Sequence, residues 1–208
     1  MIDTLTERYP DLSGCADSIS EAHALLKTAF SGSSKLLVCG NGGSAADSEH
    51  IVGELMKGFR LRRPISAADR KRFVELFPED GTAIADHLQG ALPAIALTGA
   101  IALNTAFSND VAPEMAFAQQ VYGYGVAGDV LIGISTSGNS ANVIRAAQVA
   151  RMLRMKVIGL TGPSGGRLAQ FCDVVIRAPG NETAEVQERH LPIYHALCAA
   201  LERDFFSE

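Results

Sequence analysis

The sequence predicts a doubly wound α/β fold, a parallel sheet flanked on both faces by helices. Five short runs, 35–39, 93–97, 129–134, 156–160 and 173–176, are apolar without alternating, as strands buried on both faces must be. Helical stretches separate them, and parallel neighbours need such crossovers to bring the chain back. Most of the runs end in a Gly or Ser turn, which puts small residues at the carboxyl ends of the strands, where ligands bind in open parallel sheets.

Each element has its own signal. Residues 12–30 carry Ile19, Ala22, Leu25, Leu26 and Ala29 at helical spacing, after Pro10 and before Gly32, so an amphipathic helix is expected within an N-terminal helical segment over 1–32. The run 35–39 leads through a small-residue turn into a helix bearing His50 and Glu54. Residues 57–90 interrupt the alternation with charged helical pieces at 67–77 and 82–88, punctuated by Pro64, Pro78 and Gly81; these predict an inserted helical arm or lid. A helix over 141–155 links the third and fourth strands. The segment 183–206 is helical in composition except for Pro192, which removes a backbone donor and should kink the helix or start a new one. With 208 residues and 47% hydrophobic content, the chain suits one sizeable core, and a single domain over 1–208 is expected.

The net charge of -5 leaves no excess of Lys and Arg to neutralise phosphate backbones, which argues against a sequence-independent nucleic-acid binder. Arg60-Leu61-Arg62-Arg63 reads as a local basic spot only. The N-terminus lacks a leader pattern and no apolar run approaches the ~20 residues of a membrane helix, so a soluble, cytoplasmic protein without membrane contact is expected. Cys15, Cys39, Cys172 and Cys198 lie far apart with no Cys-x-x-Cys spacing and read as reduced structural thiols.

Two loops carry the chemistry. Ser135, Thr136, Ser137 and Ser140, with Gly138 and Asn139, offer four hydroxyls and inward-turning amides just before a helix. Helix N-termini favour anions through unpaired amides and the macrodipole, and an ordinary cap needs only one or two of those hydroxyls. Gly40-Asn41-Gly42-Gly43-Ser44-Ala45 also satisfies the loose dinucleotide pattern Gly-x-Gly-x-x-Ala. The acidic residue expected ~20 positions later is replaced by Phe59-Arg60-Leu61-Arg62-Arg63, and the Gly-Lys-Ser/Thr of a P-loop is missing. His50 and Glu54, four apart, share a helix face and can meet at one atom; such a pair suits proton transfer or a divalent metal. Gln187 and His195 stand eight residues apart, ~12 Å along a helix. They can share a metal only with extended side chains, a kink, or supply from different subunits. His23 and His87 read as structural or exposed.

Taken together, Gly40-Asn41-Gly42-Gly43-Ser44 with His50 and Glu54, Asn109-Asp110, the run from Gly133 through Ser135, Ser140 and Asn142 to Ile144, and Gln187-Glu188 with His195 resemble the phosphoheptose isomerases of the sugar isomerase (SIS) domain superfamily. The resemblance covers nearly the whole chain outside the insertion. It implies a SIS-type, flavodoxin-like three-layer sandwich. It implies that Asn41, Gly42, Gly43, Ser44, Glu54, Asn109, Asp110, Ser135, Thr136, Ser137, Ser140 and Gln187 bind a phosphorylated seven-carbon sugar. It further implies a zinc ion on His50, Glu54, Gln187 and His195, proton transfer by Glu54 and His195, and a homotetramer with sites between subunits. The reaction implied is conversion of sedoheptulose 7-phosphate to D-glycero-D-manno-heptose 7-phosphate through an enediol. Two features depart from the family: the 57–90 insertion is longer than in many members, and an acidic residue that some carry three positions before the metal-binding Gln is Ala184 here, beside Glu185.

Two other readings stay open on sequence. SIS domains also serve as sugar-phosphate sensors, and a relative of these isomerases binds a replication initiator; such proteins need the phosphate loops but not the set His50, Glu54, Gln187 and His195. The same loops would also accommodate an isomerase of another sugar phosphate.

Overall fold

In the computed structural model, which describes residues 2–206, the five apolar runs become five strands: β1 (Leu36–Cys39), β2 (Ala94–Ala96), β3 (Val130–Ser135), β4 (Lys156–Thr161) and β5 (Val174–Arg177). They form one sheet in the order β2-β1-β3-β4-β5, with every pairing parallel. Strand order reverses between β1 and β3, whose following loops therefore diverge to opposite sides and leave a crevice at the carboxyl edge. Those are the two loops singled out in the sequence.

Successive residues of a strand point to opposite faces, and the core divides accordingly. Leu36 and Val38 of β1, with Ile132, Ile158 and Ile176, pack under α2 (Ala16–Ser31), α3 (Gly43–Met56) and α9 (Thr183–Phe206). Leu37 and Cys39, with Leu131 and Val157, pack under α7 (Ala116–Tyr124) and α8 (Ala141–Met152). Helices therefore cover both faces in three layers. The Cys39 thiol is fully buried, and burial pushes it up to about 12, the state of an inert thiol.

Several expectations are adjusted. A short helix α1 (Ile2–Arg8) comes first, and the stretch expected as one helix from residue 12 begins as a 3-10 turn, Pro10–Cys15, before α2. Pro10 and Gly14 both disfavour continuous α-helix there. Helix α9 runs 24 residues through Pro192 without dividing. Ile193, Leu197 and Leu201 along it are buried in the core, and that packing outweighs one lost backbone bond. Helix α6 (Ile101–Asp110) has no buried residue, so it shows no apolar stripe in the sequence.

The insertion folds as a helical hairpin, α4 (Ala67–Leu76) and α5 (Gly81–His87). Ser66 caps α4 by accepting from the Asp69 amide, and Arg70 pairs with Asp86 across the hairpin. No residue of α4 is buried. The arm joins the body at its root, where Pro64 pairs with Gln89 and the Gly58 amide donates to the Gln89 side chain at 2.6 Å.

Candidate active site

The serine loop is built by close backbone contacts. Gly138 takes a left-handed φ of +65°, and a Cβ there would lie 2.1 Å from the Gly165 carbonyl oxygen; only glycine serves. The turn closes through Gly138 N–H to the Ser135 carbonyl at 2.9 Å. The loop after β4 braces it from behind, because Gly162 and Leu168 amides donate to the carbonyls of Thr136 and Gly138, each at 2.9 Å. Ser135 and Ser140 hydroxyls sit 3.0 Å apart, and the Asn139 amide donates to Ser137 Oγ.

The two loops meet. Asn41 and Asn142 exchange amide hydrogen bonds of 2.9 and 2.8 Å, joining the glycine loop to the first turn of α8. At the start of α3, a Cβ on Gly43 would lie 2.6 Å from Gln187 Nε2, so the bare glycine lets α9 bring Gln187 against the loop. Ser44 is buried below it. Beside the glycine loop lies a cavity of 270 Å³ lined by Asn41, Gly42, Thr98, Asn104, Ser108 and Asn142. The Thr98 hydroxyl there is buried without a hydrogen-bond partner. Asn109 and Asp110 bond to each other at 2.9 Å on the exposed end of α6; neither lines this cavity.

On the next turns of α3, His50 Nε2 lies 3.2 Å from Glu54 Oε1 and 3.5 Å from His195 Nε2. Tyr194 sits behind His50: its hydroxyl contacts His50 Nδ1 at 3.0 Å and donates to Asp47 at 3.3 Å. Burial and the Asp47 charge push the Tyr194 phenol up, so it keeps that proton. His50 therefore donates from Nδ1 and turns Nε2 toward Glu54 and His195. A lone pair facing a carboxylate is unfavourable unless a proton or a metal cation lies between, and a His oriented through its far nitrogen is the arrangement of a metal ligand. Burial, then the neighbouring His50, hold His195 below the ordinary imidazole range; Glu54 opposes this and Arg60 adds to it. The Phe59 ring lies against His195, centroids 5.3 Å apart.

The structure thus brings His50, Glu54 and His195 together and seats Gln187 at the glycine loop. Among the described residues no group of three or more His, Cys, Asp or Glu side chains is arranged as a metal cage. Asp47, Phe59, Thr98, Asn104 and Tyr194 were not singled out in the sequence, because none belongs to a local pattern; Tyr194 has only its adjacency to His195 to recommend it. Arg63, read as part of a local basic spot, is fully buried against Glu202.

A switch-point crevice lined by two Ser/Gly/Asn loops, with a carboxylate and imidazoles beside it, defines a SIS-domain protein, and the family described as SIS domain matches residues 73–162. A phosphoheptose isomerase from Rhodospirillum rubrum is 36% identical over 199 residues, 96% of this chain and 92% of that protein. The structure of phosphoheptose isomerase GmhA from Neisseria gonorrhoeae superposes with a TM-score of 0.75 at 33% identity, covering 96% of this chain and 93% of that one. A phosphoheptose isomerase from Francisella tularensis gives 0.78 at 31% identity, covering 97% and 93%. The chain belongs to the phosphoheptose isomerase family. Among the described residues, no helix is long and apolar enough to cross a membrane.

Proposed function

We propose that this protein is an aldose-ketose isomerase that converts sedoheptulose 7-phosphate to D-glycero-D-manno-heptose 7-phosphate through a cis-enediol. The observation that carries this reading is the meeting of Glu54, His50 and His195 beside a loop pair suited to a phosphate, in a chain of this family. The phosphate end is held by Ser135, Thr136, Ser137 and Ser140, with Asn41, Gly42, Gly43 and Ser44 across the crevice; that remote grip orients the sugar and takes no part in the chemistry. Asn109 and Asp110 are assigned to the sugar by family resemblance alone.

Glu54 is the carbon base: it takes a proton from C1 of the ketose and returns one to C2. Its Oε2 is buried without a hydrogen bond and has the Lys57 ammonium 3.6 Å away, which leaves that oxygen open to a proton on the substrate. His195, held in its neutral form, moves the proton between the two oxygens. Gln187 donates toward the enediolate.

The donor set suits zinc in part. His50, Glu54 and His195 are ordinary zinc ligands, and His50 Nε2, facing both Glu54 and His195, is placed to bind a cation there; Gln187 would complete the set only by leaving Gly43. When bound, the ion supplies Lewis-acid stabilisation of developing oxygen charge. Metal analysis of purified protein, with His50→Ala as the control, should find zinc lost in the variant; equal zinc in both would remove the assignment. Cytoplasmic location and a homotetramer with sites between subunits belong to the same proposal, and exposed apolar residues such as Ile101 and Val111 support burial of α6 in an assembly.

The test is proton NMR of the protein with sedoheptulose 7-phosphate in heavy water, with and without zinc. New anomeric signals and deuterium at the reacting carbon are expected. No conversion in either condition, with sugar-phosphate binding intact, would replace the isomerase with a sensor.

A further inference from the structure

Outside the site, Arg63 and Glu202 are hydrogen-bonded to each other and to five backbone groups. Arg63 and Glu202 are each 1% exposed and bond Nε to Oε1 at 2.8 Å. The two remaining arms of the guanidinium donate to the carbonyls of Leu55 at 2.7 Å and Glu54 at 3.0 Å. Those are two of the last-turn carbonyls of α3, which lack partners within the helix. The Glu202 carboxylate also accepts the backbone amides of Phe59, Arg60 and Leu61 at 2.8, 2.8 and 3.1 Å. Burial alone would raise Glu202, and these amides with Arg63 more than offset it, leaving the carboxyl below its ordinary range. The Arg63 guanidinium lies over the Phe206 ring, 4.6 Å from its centroid.

Three connections lead from this pair to the site. Arg63 finishes the helical turn that bears Glu54. Glu202 stands seven residues, two turns, beyond His195 on the same face of α9. The segment it gathers carries Phe59, whose ring lies on His195. A buried ion pair gains little net stability, because desolvation nearly cancels the attraction; stability alone is a weak reason to place one here. We propose that Arg63 and Glu202 are positioning residues that set the distance and orientation of Glu54 relative to His195, and so the rate of proton transfer. The inference rests on the isomerase reading of those two side chains.

Arg63→Lys keeps the charge facing Glu202 but cannot reach both carbonyls, since an ammonium lacks the planar fork. Glu202→Gln turns an NH2 toward amides that need an acceptor. In folded variants, kcat should fall about 10- to 100-fold, the scale of an ångström misplacement, while KM stays within about twofold because the serine loop is untouched. A purely structural pair would lower the melting temperature and leave kcat, assayed well below it, unchanged; that result in both variants overturns the proposal. If neither folds, Phe59→Leu decides: it leaves the Glu202 bonds to the backbone and removes the ring from His195, so wild-type kcat there is the refuting outcome and a lowered kcat at unchanged KM the supporting one. Wild-type enzyme measured alongside separates the two ideas. Silence of the wild type removes the isomerase and the positioning role together, whereas active wild type with equally active variants removes the positioning role alone.

Discussion

Glu54 and His195 reach the same point from helices 141 positions apart in the chain, joined through His50. Glu54→Gln and His195→Ala should each lower kcat by about 10²- to 10⁴-fold, the span of general acid-base contributions, with an unchanged circular dichroism spectrum; near-normal turnover would take that residue out of the mechanism. Ser137, exposed on the anion loop, makes a different forecast. Its hydroxyl accepts the Asn139 amide and keeps its own proton to donate to a phosphate; a hydrogen bond to a charged group contributes about 1.5–3 kcal/mol, so Ser137→Ala should raise the dissociation constant for phosphorylated sugars roughly tenfold or more. Calorimetric titration showing equal affinity would argue against the loop as the phosphate site. At this scale the sequence was informative where residues are neighbours in the chain. The His50–Glu54 pair is legible from its spacing, whereas Tyr194 behind His50 and Phe59 over His195 are products of how α3 and α9 cross.

Elements tell a similar story with different physics. All five strands were legible: β1 and β3 are buried on both faces and cannot hide their apolar runs, and the edge strands β2 and β5 keep short apolar runs despite partial exposure. Helix α6 was not: nothing in it is buried, so it has no apolar period, and it also lacks the run of charged residues that made the equally unburied α4 legible as a helix. The arm is a helical hairpin whose only buried members are Gly81 and Ala85 on α5. Replacing 67–87 by a short Gly/Ser linker, with Pro64 and Gln89 retained, should therefore change the midpoint of urea unfolding little. A large drop would mean that the hairpin shares the core. Substitution of Gly138 by Ala is expected to act oppositely, through a single atom: the added Cβ meets the Gly165 carbonyl, and the serine loop must shift.

For the whole molecule, His190 supplies a pH signature. It lies on the buried face of α9, with Nε2 on the Thr161 carbonyl at 3.2 Å and no hydrogen-bond partner for Nδ1, and burial lowers it to about 4. The unfolded chain, with His near 6.5, takes up the proton first as pH falls. The contribution of neutral His190 is thus fully present above about pH 6.5 and is lost through the window down to about pH 4, about 3 kcal/mol in total. His190→Gln keeps an N–H for Thr161 and cannot titrate, so its urea midpoint should fall less over that window; parallel curves for variant and wild type would show that other groups govern acid stability.

By itself the sequence determined the class of fold, the five strands, the two small-residue loops at their carboxyl ends, and the family. Each depends on local composition or on spacing along one element, which the order of residues states directly. Only the tertiary structure decided which polar groups act together. The pairing of Asn41 with Asn142, the seat of Gln187 at Gly43 and the burial of Arg63 against Glu202 join residues that the sheet brings close and the chain keeps far apart. Such partners depend on the three-dimensional crossing of helices, and no period in the sequence records that crossing.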